Sequence, residues 1–152
     1  MSSIKIPFDF YIKICYNIYI KKRKGLIFMR RHFVWIDDER PVDNRFIRRL
    51  NSIPAEECDI TGWSVCRTGE DAVKEIKSLS QIPDCKIFIS FDHDLGFGIS
   101  GYDVAKWIVE NEIPIAGFTV HSMNPVGAKN IIKLLTHYGY AKMHFIDDII
   151  TL

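Results

Sequence analysis

The sequence predicts an α/β fold built on a five-stranded parallel sheet of order 2-1-3-4-5 with helices on both faces. Three observations carry that prediction. From Phe33 onward, short β-branched or aromatic runs alternate with segments whose apolar residues recur near every 3.6 positions. The helical segments open on residues that suit a cap position. The 152 residues, 47% hydrophobic and 26% charged, make one domain with an ordinary core and exclude both disorder and collagen-like repetition.

Strands are expected at 33–37, 63–67, 86–91, 116–121 and 142–146. A short first helix near 43–51 carries Arg45, Arg48 and Arg49, read as a solvated face. Thr68 with Asp71 and Ser100 with Asp103 have capping-box spacing, and Asn124 stands before a proline suited to the first helical position. The apolar faces are Ala72, Val73, Ile76 and Leu79; Val104, Ala105, Trp107 and Ile108; and Ile131, Leu134, Leu135 and Tyr138, all read as core. Right-handed crossovers joining such strands give a flavodoxin-like arrangement, in which ligands bind beyond the carboxyl ends of the strands.

Two domain segments are expected, a leader over 1–28 and the folded unit over 29–152. The leader carries six Lys/Arg against one Asp, which leaves the rest at about −4 and argues against a generic polyanion binder. Residues 8–20 are too short and too interrupted by Asp9, Lys13 and Asn17 to span a bilayer, and they lack a signal-peptide pattern, so no membrane partner is expected. Strict alternation from Phe8 to Ile20 reads as an added edge strand. The competing expectation is that translation starts at Met29, since the leader is rich in residues of A/T-rich codons and Lys24-Gly25 can be encoded by a ribosome-binding sequence. Cysteines 15, 58, 66 and 85 have neither C-x-x-C nor zinc-ligand spacing and are expected to be reduced.

The strand ends hold the chemistry. "WIDDER" places Asp37 and Asp38, "SFDHDLG" places Asp92, His93 and Asp94, and "TVHSMNP" places His121, Ser122 and Asn124, all at one rim. Any one of these acids alone reads as a loop cap or a solvent-facing carboxylate. Together, Asp37, Asp38, Asp92 and Asp94 would raise one another's pKa values without a cation, and hard oxygen ligands suit Mg²⁺ or Mn²⁺. A lone histidine is more often structural, but His93 and His121 end adjacent central strands and can flank one substrate as general acid and base. His32, His137 and His144 are read as surface or packing residues.

Gly96, Gly98 and Gly101 match G-x-G-x-x-G, yet a dinucleotide site wants an acid where the next strand offers His121, and Asp92 and Asp94 would repel a metal-free pyrophosphate. The helix after Pro125, with its N–H groups and Lys129, is the better anion site, with Ser122 and Asn124 beside it. Phe97 and Tyr102 are the nearest aromatics for stacking a base.

With strand one ending "DDE", strand three ending in Asp and "GYD" opening the next helix, the body resembles a response-regulator receiver domain. It departs from that pattern at three places: Asp147 stands where receivers keep a lysine, with Lys142 roughly 13 Å away at strand rise; His121-Ser122 fills the strand-four hydroxyl position; and His93 follows the phospho-accepting position, Asp92. The set "IDDERP", "RTGEDAV", "SFDHDLG", "SGYDVAKWIVE" and "VHSMNPVGAKNI", spanning about residues 33–138, resembles the cyclic-phosphate processing receiver domain family, including phage proteins labelled Cef modifier of suppressor tRNAs.

That resemblance implies a receiver-like protein, phage-encoded and cytoplasmic, acting on RNA or tRNA ends or on a cyclic nucleotide through 2′,3′-cyclic phosphates. It points to Asp37, Asp38, Asp92, His93, Asp94, His121, Ser122 and Asn124 as functional positions. Opening such a ring needs a base, an acid and positive charge on the non-bridging oxygens. His93 and His121 are assigned the first two roles in either order, and a metal-assisted cyclic phosphodiesterase is the expected activity. Two rivals stand beside it: a non-catalytic module that binds a phosphate, nucleotide or protein on the same rim, and a receiver phosphorylated on Asp92, which the missing lysine disfavours.

Overall fold

The computed structural model describes residues 30–43, 60–146 and 149–151. Its sheet has four parallel strands, β1 (Arg30–Ile36), β2 (Ile60–Cys66), β3 (Cys85–Phe91) and β4 (Gly117–Val120), in the order β2-β1-β3-β4. Three helices follow the strands: α1 (Gly69–Ser80), α2 (Gly101–Glu110) and α3 (Pro125–His137). The expected caps are present, with the side chains of Thr68, Ser100 and Asn124 accepting from the backbone of Asp71, Asp103 and Gly127. Only Ser100 and Asp103 complete a reciprocal capping box.

Strands β1 and β3 run centrally and are buried on both faces, which is why they read as continuous apolar runs rather than alternating ones. One face of the sheet, Val34, Ile36, Ile87, Ile89, Phe91 and Phe118, packs on Ala72, Ile76 and Leu79 of α1, Val104, Ala105 and Ile108 of α2, and Ile131 and Leu135 of α3. Each large side chain buried there contributes about 2 kcal/mol from removal of apolar surface. The other face carries a separate aromatic cluster of Phe33, Trp35 and Phe88 with Met143. Phe33 stacks on Phe88 at 5.0 Å between ring centroids.

The structure corrects several expectations. The fifth strand does not join the sheet: residues expected at 142–146 meet it through one parallel bridge, Phe118 to Lys142. Beyond Met143 the chain forms β5 (His144–Ile146), which pairs antiparallel with β6 (Ile149–Thr151). A partner two positions away closes a far smaller loop than the edge of a parallel sheet offers, and parallel pairing is slightly weaker per residue. The three described helices all pack on one face, and the helix expected at 43–51 falls, apart from Asp43, outside the described residues, as do the leader and Asp147. Tyr138 is 59% exposed at the end of α3 rather than part of its apolar face.

Cys66 is buried, which pushes its thiol up to about 12, helped by the charges of Glu75 and Asp71. Among the described residues no helix is long and apolar enough to cross a membrane.

Candidate functional site

Strand register builds the site. Ile36 pairs with Phe91 and Phe91 with Val120, so the next rung places Asp37, Asp92 and His121 side by side just past the ends of β1, β3 and β4. The ladder continues into that rung: Asp37 N donates to Cys66 O at 3.1 Å, Asp92 N to Ile36 O at 2.9 Å and His121 N to Phe91 O at 2.9 Å. Asp37 is fully buried and Asp92 is 6% exposed, so both acids sit where an uncompensated carboxylate is costly.

Compensation comes from four donors on Asp37 alone. Its Oδ1 accepts from the backbone N–H groups of Glu39 at 3.0 Å and Arg40 at 2.5 Å, and its Oδ2 from Arg40 Nε at 2.8 Å and His121 Nε2 at 3.1 Å. Burial by itself pushes this carboxyl up, but the Arg40 and Glu39 N–H bonds, then His121 and the Arg40 charge, hold it below the ordinary aspartate value. Arg40 also reaches Asp92, Nη2 to Oδ2 at 2.5 Å, and donates from Nη1 to the carbonyl of His121 at 3.2 Å. Arg67 fastens the same turn, donating from Nη1 to Asp37 O at 2.9 Å and Arg40 O at 2.8 Å.

His121 lies flat on Trp35, with ring centroids 3.8 Å apart and 14° between planes. Those rings belong to strands separated by β3, and the small Ser90 between them leaves the room, its Oγ 2.7 Å from His121 Nδ1. An ionised Asp37 can only accept, so Nε2 carries the proton and Nδ1 accepts from the Ser90 hydroxyl. Burial pushes His121 below its ordinary pKa against the pull of Asp37, which keeps the imidazole neutral near pH 7.

A second group forms on the helix side of the rim. His93 Nδ1 donates to Asp94 Oδ1 at 2.7 Å, and Asn124 Nδ2 donates to Asp94 Oδ2 at 3.2 Å while its Oδ1 caps α3 by accepting from Gly127 N at 2.9 Å. The imidazole lies against the first turn of α3, where a Cβ on Gly127 would fall 2.3 Å from His93 Cγ. The Asp94 carboxyl is held below its ordinary value, first by His93 and then by Asn124. His93 Nε2 makes no hydrogen bond among the described residues. The two groups meet at Asp92, whose Oδ1 accepts from His93 N at 2.7 Å while Oδ2 takes Arg40.

Among the positions expected from sequence, Asp37, Asp92 and His121 come together, and each offers a donor atom within 4.8 Å of the others. Asp38 is not in that set; it sits half-buried with Oδ2 3.0 Å from where a Gly96 Cβ would be. Asp94 instead joins His93 and Asn124. The two imidazoles therefore engage different partners, one on each side of the sheet plane. Ser122 Oγ accepts from Asn124 N at 3.1 Å, and Lys129 is exposed on α3.

Sequence reasoning passed over Arg40, Arg67, Ser90 and Trp35. Arg40 and Arg67 open to view inside "IDDERP" and "RTGEDAV", where a cation close to buried acids is the signal. Ser90 and Trp35 carry no such signal, because their roles depend on which strands become neighbours.

Asp37, Asp92 and His121 suit a divalent cation in donor type, two carboxylates and an imidazole. The guanidinium of Arg40 already bridges both carboxylates, so an ion and Arg40 are alternative occupants of that place.

Comparison with known proteins bears on this arrangement. The family model described as the cyclic-phosphate processing receiver domain matches residues 32–137, which span β1 to α3 and every side chain of both groups. No curated protein matches significantly. Among solved structures, a fusion carrying the yeast Spc42 trimeric coiled coil, amino acids 181-211, is similar at 23% identity and a TM-score of 0.47, covering 76% of this chain and 69% of that one. The four-stranded parallel sheet, the carboxylate rung at its carboxyl end and the family match over most of the chain agree: the protein belongs to the cyclic-phosphate processing receiver domain family.

Proposed function

We propose that the rim opens 2′,3′-cyclic phosphates at RNA or tRNA ends or on free nucleotides. The observation that carries this reading is the His93–Asp94 pair, with Nδ1 bonded to the carboxylate and Nε2 uncommitted among the described residues. An acid on Nδ1 fixes the tautomer and leaves the Nε2 lone pair for a proton, the arrangement a general base requires. Water then adds across one P–O bond of the ring: its oxygen bonds to phosphorus, His93 Nε2 takes its proton, and the departing ribose oxygen recovers a proton through solvent. The product is a phosphomonoester beside a free hydroxyl.

Arg40 supplies positive charge. A guanidinium has five N–H donors, and among the described residues three are spent, on Asp37, Asp92 and the His121 carbonyl, which leaves two for the non-bridging oxygens. The Ser122 hydroxyl and Lys129 are the further candidate phosphate contacts. Both ends of the Asn124 amide are already engaged, so its part is to hold Asp94 and the start of α3. His121, neutral and bonded at both nitrogens, orients Asp37 and through it Arg40. A bound Mg²⁺ or Mn²⁺, held by Asp37, Asp92 and His121 in the place of Arg40, would supply the positive charge instead, with Asp38 and Asp94 at the margin.

The test is release of a phosphomonoester from an RNA ending in a 2′,3′-cyclic phosphate, with and without divalent metal. Turnover lost in His93→Ala supports the reading; no turnover under any metal rejects it. A non-catalytic phosphate-binding module is the second reading, favoured by the saturation of Asp37 and of both His121 nitrogens within the protein. Tight binding without turnover is its signature.

A further inference from the structure

Resting on the cyclic-phosphate reading, we propose that the loop after β3 presents Phe97 as a stacking platform for the base of a nucleoside 2′,3′-cyclic phosphate. Phe97 is 95% exposed. Its neighbours two positions away on either side point inward, Leu95 being 4% exposed and Ile99 packing on the main core. Between these anchors Gly96 and Gly98 adopt φ of +67° and +87°, a region L side chains rarely enter, and turn the chain outward on both sides of the ring.

The flanks are held. Gly96 lies against the Asp38 carboxylate, a Cβ there falling 3.0 Å from Oδ2, and Gly98 lies against Glu70, a Cβ falling 2.5 Å from Oε1. That same Oε1 accepts from Ile99 N at 3.2 Å. Phe97 therefore projects from the apex of a loop fastened at two points, and its display in water is a product of the fold.

The position decides the occupant. Phe97 stands three residues after Asp94, on the segment that leaves the His93–Asp94 pair, and the loop from the adjacent strand β4 adds Met123, 87% exposed, next to Asn124. A ligand whose phosphate sits at His93 and whose remainder is flat and apolar would set that remainder against these flanking loops; a bare phosphate leaves Phe97 in water. Stacking on a phenyl ring tolerates any base and prefers the larger surface of a purine.

The experiment measures equilibrium binding and turnover together, on the full chain, for adenosine 2′,3′-cyclic phosphate, the base-less ribose 2,3-cyclic phosphate and an oligoribonucleotide ending in the cyclic group. Phe97→Ala is expected to weaken the two base-bearing ligands by about five- to 150-fold, leave the base-less ligand unchanged, and be rescued by Phe97→Trp. Tighter binding of the oligonucleotide than of the mononucleotide assigns the group to an RNA end. Equal wild-type affinity with and without the base overturns the platform, as does a uniform loss in Phe97→Ala. Unchanged affinities in Phe97→Ala also overturn it and point to a protein docked on the ring. Phe97-dependent binding without phosphomonoester release supports the platform and rejects the ring-opening chemistry. Phosphomonoester release with affinity indifferent to Phe97 does the reverse.

Discussion

Arg40 and Asp92 lie 52 positions apart in sequence, yet the guanidinium Nη2 donates to the Asp92 carboxylate at 2.5 Å while its Nε holds Asp37 at 2.8 Å. One exposed-edge cation thus neutralises two buried acids on neighbouring strands. Arg40→Ala leaves those acids facing each other, and the expected loss of stability is about 2 kcal/mol, less than for a fully buried pair because the guanidinium is partly solvated. The vacated place has the donors of a cation site, so Mn²⁺ is expected to bind Arg40→Ala more tightly than the wild type and to raise its thermal midpoint selectively. Identical Mn²⁺ affinity in the two proteins would contradict the shared-place account.

Gly127 makes room for His93. Alanine is the better helix former by up to ~1 kcal/mol, but its Cβ would land 2.3 Å from the imidazole and displace it. Gly127→Ala is expected to keep the thermal midpoint within a few degrees while cyclic-phosphate turnover falls on the order of a hundredfold. Full turnover in this variant would show that the seating of His93 is immaterial.

Ser90 completes the hydrogen bonding of His121, whose tautomer Asp37 sets. Removing its hydroxyl leaves a buried Nδ1 without a donor, and Ser90→Ala is expected to destabilise the fold by about 1 to 3 kcal/mol. The ring should keep the Nε2–H tautomer that Asp37 imposes, while the Nδ1 nitrogen-15 shift moves as its hydrogen bond is lost. An unaltered Nδ1 shift would mean that Ser90 does not bond the ring.

His32 gives the fold an acid weakness away from the rim. Burial, then the charge of Arg30, pushes it from 6.5 down to about 4. Its Nε2 lies 2.7 Å from Ser64 Oγ, and Ser64 donates to Glu75. Below pH 6.5 the unfolded chain binds this proton and the folded chain does not until about pH 4, so the stability falls across that window and levels off beneath it. The whole interval amounts to about 3 kcal/mol. Glu75, pushed up by burial, binds its proton more readily when folded and offsets part of the loss. Thermal midpoints should therefore fall from pH 6.5 to 4 and fall less in His32→Gln; parallel profiles would refute the assignment.

The periodic parts of this protein were open to sequence reading because local physics decides them. Ala72, Ile76 and Leu79, or Val104, Ala105 and Ile108, repeat at helical spacing and are buried as that spacing demands. Asp37, Asp92 and His121 could be placed at one rim because each ends a strand. What escaped depends on choices between distant partners. His144–Ile146 has strand character but pairs with the local Ile149–Thr151 instead of β4. His93 and His121 end adjacent strands, yet alternation of side chains turns one towards Trp35 and the other towards Gly127, a difference of face that spacing along the chain does not encode.

Whether His93 is the base at this rim is read from the rate of phosphomonoester release from a nucleoside 2′,3′-cyclic phosphate by the wild type, His93→Ala and His121→Ala. A loss on the order of 10² to 10⁴ is expected for His93→Ala and a smaller loss for His121→Ala, which acts only through Asp37. Wild-type turnover by His93→Ala would contradict that role.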